Sequence, residues 1–180
     1  MDIEKLKFPI GQFIPSTSYT ALEIAHFIET IASLPEKLLQ TVQNMTEQQL
    51  NTAYRPAGWT VRQVVHHLAD SHCNSFIRFK LALTEDKPTI KPYQEQLWAE
   101  LADSKNASIT PSLYLLENLH KKWVLVLQNI QANEWQTKGF IHPEKQRLVT
   151  LAEAVALYAW HGEHHLAHIH KLQERMLWKK

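Results

Sequence analysis

Apolar residues recur along this chain at three- and four-residue spacing in four long stretches, the pattern of helices that turn one face inward. The first runs through Leu22, Ala25, Phe27, Ile28, Ile31, Leu34, Leu38 and Leu39 and predicts a helix over about 20–43. Thr20-Ala-Leu-Glu23 has the spacing of a capping box at its start, and Pro35 is expected to kink or split it. The second stretch, Val61, Val65, Leu68, Phe76, Phe79 and Leu83, predicts a helix over about 59–83 behind the capping spacing of Thr60-Val-Arg-Gln63. A polar stripe of Thr60, His67, Ser71, Asn74 and Arg78 runs beside it, so one face addresses a core and the other a pocket or a surface. Thr110-Pro111 reads as an N-cap with proline in the first helical position, opening a third helix over about 110–131 on Leu113, Leu116, His120, Trp123, Leu127 and Ile130. Thr150-Leu-Ala-Glu153 repeats the capping spacing and starts a fourth helix, over about 150–176. Four long helices make an all-α chain, a four-helix bundle in one domain over 1–180.

The connections carry their own signals. Residues 1–19, broken by Pro9, Gly11 and Pro15 yet apolar at Phe8, Ile10, Phe13 and Ile14, are expected to pack as an extended arm. Thr46-Glu47-Gln48-Gln49 looks like a short helix start. Residues 84–109 hold Pro88 and Pro92 and about one helical turn near Tyr93–Leu101. Such a crossover is long enough to span the bundle, and connections of this length are often functional. In 132–149, Gly139–Pro143 and Arg147–Val149 fit either a short hairpin or a loop.

The fourth stretch has an unusual seam. Leu151, Ala154, Tyr158, His161, His165, His168 and Leu172 share one alternating three-four register, so imidazoles stand where a core is expected. His161 and His165, four apart, can point at a common spot. Buried imidazoles need partners, and one divalent cation can serve several of them. Two imidazoles do not make a catalytic zinc site, which takes three protein ligands and an open position. His66, His67, His72 and His120 are the candidates for the third. His66 and His67 differ by about 100° around the axis and cannot both serve one ion; periodicity leaves the choice open, although His67 lies on the polar stripe. Asp70 is three residues on from it, within reach as an outer carboxylate. Tyr158 and His120 sit at seam positions that suit core residues, Cys73 suits a small buried hydrophobe, and Trp59 suits a staple or a pocket wall. Gly162 costs a helix about 1 kcal/mol relative to alanine, which points to the close approach of another backbone.

Composition narrows the function classes. Lys+Arg 19 against Asp+Glu 18 leaves a net charge of +1, no electrostatic footprint for nucleic acid or an anionic membrane. The single cysteine rules out an internal disulfide and a multi-cysteine zinc site. With four glycines there is no phosphate-binding glycine loop. The first residues lack a signal peptide's apolar core, and no apolar run approaches the roughly 20 residues that span a bilayer, so a soluble, cytoplasmic protein is expected.

The stretch Gly58–His72, with its His66-His67-Leu68-Ala69-Asp70, together with Trp160-His161-x-x-x-His165-x-Ala167-His168-Ile169, resembles the YfiT-type branch of the DinB-like family of four-helix metalloproteins. Phe8-Pro-Ile-Gly11, Arg78–Leu81, Leu83–Glu85 and Ile90–Tyr93 extend the likeness over nearly the whole chain. The resemblance implies a metal held by His67, His161 and His165, and a homodimer. It also implies two activities, metal-dependent hydrolysis and S-transfer from the small thiol bacillithiol.

Three neutral imidazoles leave a divalent ion its full charge, which brings the pKa of a bound water toward about 7 and acidifies a bound thiol in the same way. Hydroxide attack on a hydrolysable substrate and thiolate attack on a small electrophile are both within reach of such a site. Thiol S-transfer is the expected role, because no acid–base pair for hydrolysis can be picked out; a metal-stabilised helical module without turnover is the non-catalytic alternative. One divalent ion per chain is expected, with zinc or nickel foremost, although imidazole suits copper and iron as well. Arg62, Arg78 and Lys80 are candidates to receive the carboxylates of a thiol cofactor.

Overall fold

The computed structural model describes residues 2–178. In chain order the elements are α1 (Ile3–Lys7), α2 (Ala21–Val42), α3 (Glu47–Leu50), α4 (Val61–Thr84), α5 (Glu95–Trp98), α6 (Ala102–Asn106), α7 (Thr110–Gln128), α8 (Glu134–Thr137), β1 (Gly139–His142), β2 (Arg147–Thr150) and α9 (Leu151–Met176). The long helices α2, α4, α7 and α9 form the expected all-α four-helix bundle. α2 packs on α9 and α7, and α4 packs on the same two, so each long helix touches two others.

Local chemistry starts the helices where the sequence placed them. Thr20, Thr46 and Thr60 each accept from the backbone N–H three residues on, and Glu23, Gln49 and Gln63 return the bond to the cap. Thr150 accepts from Glu153 N, but the box is only half built: the Glu153 carboxylate turns to Arg147, 2.6 and 2.7 Å away. A guanidinium fork offers the carboxylate two bonds from an opposite charge in place of one from a backbone N–H. Thr110 is the first helical residue rather than the cap, which falls on Ile109.

Three further expectations need correction or resolution. The N-terminal arm is not extended throughout, because Asp2 caps a first turn, α1. Pro35 does not split α2, which runs through it with the proline ring buried. Lacking an N–H, Pro35 leaves the Ile31 carbonyl without its helical donor, and His120 Nδ1 lies 2.6 Å from that oxygen. Residues 139–150 resolve as a hairpin, with Gly139 opposite Thr150 and His142 opposite Arg147. A Cβ on Gly139 would stand 2.1 Å from the Val149 carbonyl oxygen, so only glycine lets the two strands meet there.

Two apolar clusters fill the bundle. One gathers Ile24, Ile31, Phe79, Trp123, Leu127, Val155 and Tyr158. The other gathers Leu34, Leu38, Val65, Leu68, Leu116, Leu166, Ile169 and Leu172. On three of the four long helices histidines separate the two sets: His72 on α4, His120 on α7, His161 and His165 on α9, with His67 beside Leu68. A polar layer therefore crosses the middle of an otherwise apolar interior.

Candidate metal centre

The register of α9 that carries Leu151, Ala154 and Tyr158 into the core continues one turn later to His161 and His165. Across from them, residues Val61–Ala69 of α4 are all buried, so His67 meets the same space. His67, His161 and His165 each offer one ring nitrogen to a group whose atoms lie within 4.8 Å of one another. The Nε2 atoms of His67 and His161 are 3.2 Å apart. The ring centroids of the three are separated by 5.2, 4.8 and 4.6 Å.

This donor set fits a divalent ion. Bonds of about 2.0–2.1 Å from imidazole nitrogen to one ion bring neighbouring ligand atoms to about the observed spacing. His165 Nδ1 is buried with no hydrogen-bond partner, which leaves one ring of the trio underused by the protein itself. Charge agrees with geometry. In the metal-free chain burial and the nearby His164 push His67 down to about 3, and burial with adjacent imidazoles holds His161 and His165 well below the ordinary value. All three are neutral at pH 7, the form that can ligate.

The other histidines divide between wall and interior. His164 and His168, which burial brings down to about 4, line the approach. His66 turns away: its Nδ1 lies 2.7 Å from Ser112 Oγ on α7. That answers which of the adjacent pair faces the site. His72 and His120 reach inward, with His72 Nε2 3.2 Å from His161 Nδ1 and His72 Nδ1 2.8 Å from His120 Nε2. Sequence reasoning treated them as spare ligands or core residues and missed this row, whose members lie on different helices and share no local motif.

Two openings reach His161. A cavity of about 300 Å³ is walled by Tyr54, Trp59, Trp160, His164 and His168 above the three histidines. Trp59 lies against His67, its ring tilted by 48° with centroids 4.5 Å apart, and lines the cavity, which makes it a wall rather than a staple. The N-terminal arm closes this side, since His168 Nε2 donates to the Lys7 carbonyl at 3.0 Å and Phe8 lies against His164. A second cleft of about 360 Å³ brings Ser71, Arg78, Tyr93, His142 and Tyr158 to the far side of His161.

Other candidates take different places. No hydrogen bond joins Asp70 to His67 among the described residues; Asp70 is half-buried, and burial pushes its carboxyl up to about 6. Tyr158 donates to the Ser71 carbonyl at 3.3 Å. Cys73 is a half-buried free thiol that burial pushes up. Arg62 is not available to a cofactor, because it is 2% exposed and committed to Asn51 Oδ1, the Ala107 carbonyl and Glu47. Lys80 is exposed, while Arg78 lines the second cleft. Gly162 meets a side chain, not a backbone: a Cβ there would stand 2.6 Å from Leu34 Cδ2.

The comparisons with known proteins agree with this geometry. The model of the DinB superfamily matches residues 30–169. A Bacillus subtilis protein named "Putative metal-dependent hydrolase YfiT" is 49% identical over 96% of this chain and 97% of its own. A Bacillus cereus protein named "Putative metal-dependent hydrolase" is 51% identical over 96% of this chain and 98% of its own. The solved structure of YfiT from Bacillus subtilis, described as having "an unusual four-helix bundle topology", superposes with a TM-score of 0.94 at 48% identity, covering 97% of this chain and 99% of that one. With a bundle of that topology and a histidine trio that could hold a metal ion, the chain belongs to the DinB superfamily.

Proposed function

We propose that the protein is a metal-dependent enzyme in which His67, His161 and His165 hold one divalent ion, zinc or nickel, and that it joins an intact small thiol, bacillithiol, through its sulfur to an electrophile, with the thiol proton and any leaving group of the electrophile released. The observation that carries this reading is the convergence of three neutral imidazoles from α4 and α9 beneath a cavity. When bound there, a divalent ion supplies Lewis acidity that acidifies a thiol or a water in its open position.

The chain's own residues do the rest. Trp59 and Trp160 line the entrance with flat apolar surface and limit the water that reaches the rings. The arm, tied down by the bond from His168 to the Lys7 carbonyl, covers that side. Arg78 in the second cleft presents a guanidinium to an acidic group, as a carboxylate-bearing thiol requires. The wall around the trio is mostly imidazole and indole, and Glu95 is its one carboxylate, held above the ordinary carboxylate range by burial, so a general base stands ready to take a proton from a thiol or from a water. Metal-dependent hydrolysis is the second reading, and the names of the relatives favour it. A small-molecule substrate fits the cavities, and we extend the proposal to a homodimer that binds neither nucleic acid nor membrane; among the described residues no helix is long and apolar enough to cross one.

The test joins elemental analysis to activity. Purified protein is expected to carry about one divalent ion per chain and to conjugate bacillithiol to a model electrophile such as monochlorobimane. His161→Ala should lose both the metal and the turnover, with a fall of at least about 10²-fold. Metal-loaded protein that hydrolyses ester or amide substrates but leaves the thiol unreacted would replace the first reading with the second.

A further inference from the structure

His72 and His120 are buried imidazoles, 0% and 1% exposed, for which the proposed chemistry has no direct use. They stand in a row that begins at a backbone carbonyl and ends at a proposed ligand. We propose that the Ile31 carbonyl, His120 and His72 form a directional hydrogen-bond chain that holds His161 in its Nδ1–H form and so keeps the Nε2 lone pair aimed into the histidine trio. The inference rests on reading His161 as a ligand. His72 and His120 are then positioning residues.

Direction is imposed at the far end. A carbonyl oxygen only accepts, so His120 Nδ1, 2.6 Å from Ile31 O, must carry the proton. In a neutral ring that makes His120 Nε2 an acceptor, and His72 Nδ1 at 2.8 Å must donate to it. His72 Nε2 is thereby left as an acceptor, and His161 Nδ1 at 3.2 Å donates in turn. His161 Nε2 ends the row as an acceptor facing the trio, 3.2 Å from His67 Nε2. The opposite polarity would set a lone pair of His120 against the carbonyl at its shortest contact.

Pro35 supplies the starting point. A residue with an N–H at that position would donate to the carbonyl four residues back, which is Ile31; proline cannot, and the oxygen turns its capacity to His120. The helix defect and the metal centre are thus two ends of one arrangement. Outer partners that set the tautomer and orientation of a ligating histidine typically contribute 10–100-fold to metal affinity. For His161 that partner is an imidazole chain rather than a carboxylate.

Two measurements on the full-length protein test this. Long-range ¹H–¹⁵N correlation of the imidazoles in metal-free protein at pH 7.5 should show His120, His72 and His161 all in the Nδ1–H form, with His67 protonated at Nε2 to donate to His161. His161 in the Nε2–H form overturns the proposal, whatever the variants do. Zinc affinity by chelator competition should fall about 10–100-fold in His72→Leu and in His120→Leu. His72→Gln, whose amide can accept from His161 and donate to His120, should recover affinity to within about fivefold of the wild type. Leucine variants that fold and bind zinc as tightly as the wild type also overturn it. If they fail to fold, the wild-type tautomers decide. Wild-type protein that binds no zinc or nickel would instead overturn the ligand assignment, leaving the tautomer result to judge the chain of bonds.

Discussion

At the scale of single residues, Gly162 shows how closely α9 approaches α2 beside the candidate metal centre. Alanine is favoured over glycine inside a helix by about 1 kcal/mol. Against that stands Leu34, 1% exposed, with Cδ2 2.6 Å and Cδ1 3.2 Å from where the new Cβ would sit. A leucine buried that deeply has little room to swing, and overpacking costs about 1–3 kcal/mol. Gly162→Ala should therefore lower stability by about 1 kcal/mol net in urea unfolding. Leu34→Ala removes the obstruction, at its own cost of about 2–5 kcal/mol. In that background Gly162→Ala should change sign and stabilise by about 1 kcal/mol, because propensity then acts alone. A glycine-to-alanine change that stabilises the wild-type chain would show that Leu34 yields freely.

At the scale of elements, Arg62 joins three of them. From the first turn of α4 its guanidinium reaches Asn51 Oδ1 after α3 at 3.0 Å, the Ala107 carbonyl before α7 at 2.6 Å, and Glu47 of α3. Its side chain is 3% exposed while that of Glu47 is 79% exposed. The bond to a solvated carboxylate is therefore the smallest part of its contribution, since water screens such pairs. Arg62→Ala should cost about 3 kcal/mol, because it strands buried acceptors that a charged donor satisfied. Glu47→Ala should cost less than about 1 kcal/mol. Equal losses in thermal unfolding of the two variants would contradict this division. Legibility in the sequence follows the same line between local and non-local. The caps at Thr20, Thr46 and Thr60 act within four residues, so their spacing was enough to place three helix starts. The inward register of α9 was readable because its seven seam positions repeat over six turns. The choice between His66 and His67 depends on how α4 is rotated in the bundle, which no local pattern encodes. Arg62 was read as a possible anion receiver because its partners lie 11, 15 and 45 residues away. Pro35 was read as a break because its compensation comes from His120, on another long helix.

For the whole molecule, a bundle with uncharged imidazoles across its middle must lose stability in acid, and the sign follows from the pKa directions. Burial brings His67 to about 3 and His120 to about 4 in the folded chain, whereas both return to about 6.5 on unfolding. Between those values the unfolded chain binds the extra protons, so the stabilising contribution is complete above about pH 6.5 and is lost as pH falls toward the folded values. His164 and His168, each at about 4, act in the same sense. Asp70 opposes them: its carboxyl, raised to about 6, gives a contribution present below its unfolded value and lost as pH rises through 6. Glu95, which burial also raises, acts with Asp70, but two carboxyls against the larger set of buried imidazoles leave the histidines in control. Urea unfolding of chelator-treated protein should therefore show stability level above pH 7 and lower by at least about 2 kcal/mol at pH 5 than at pH 6.5. Zinc at about 100 times its Kd should add about 2.7 kcal/mol at pH 7.5 by mass action, roughly 5–10 °C in Tm. That increment should shrink in acid, because the imidazoles must shed protons before they ligate. Level stability from pH 7 to 5 would mean that the rings are hydrated and titrate as free histidines do, and the buried polar layer would have to be abandoned along with the metal centre built on it.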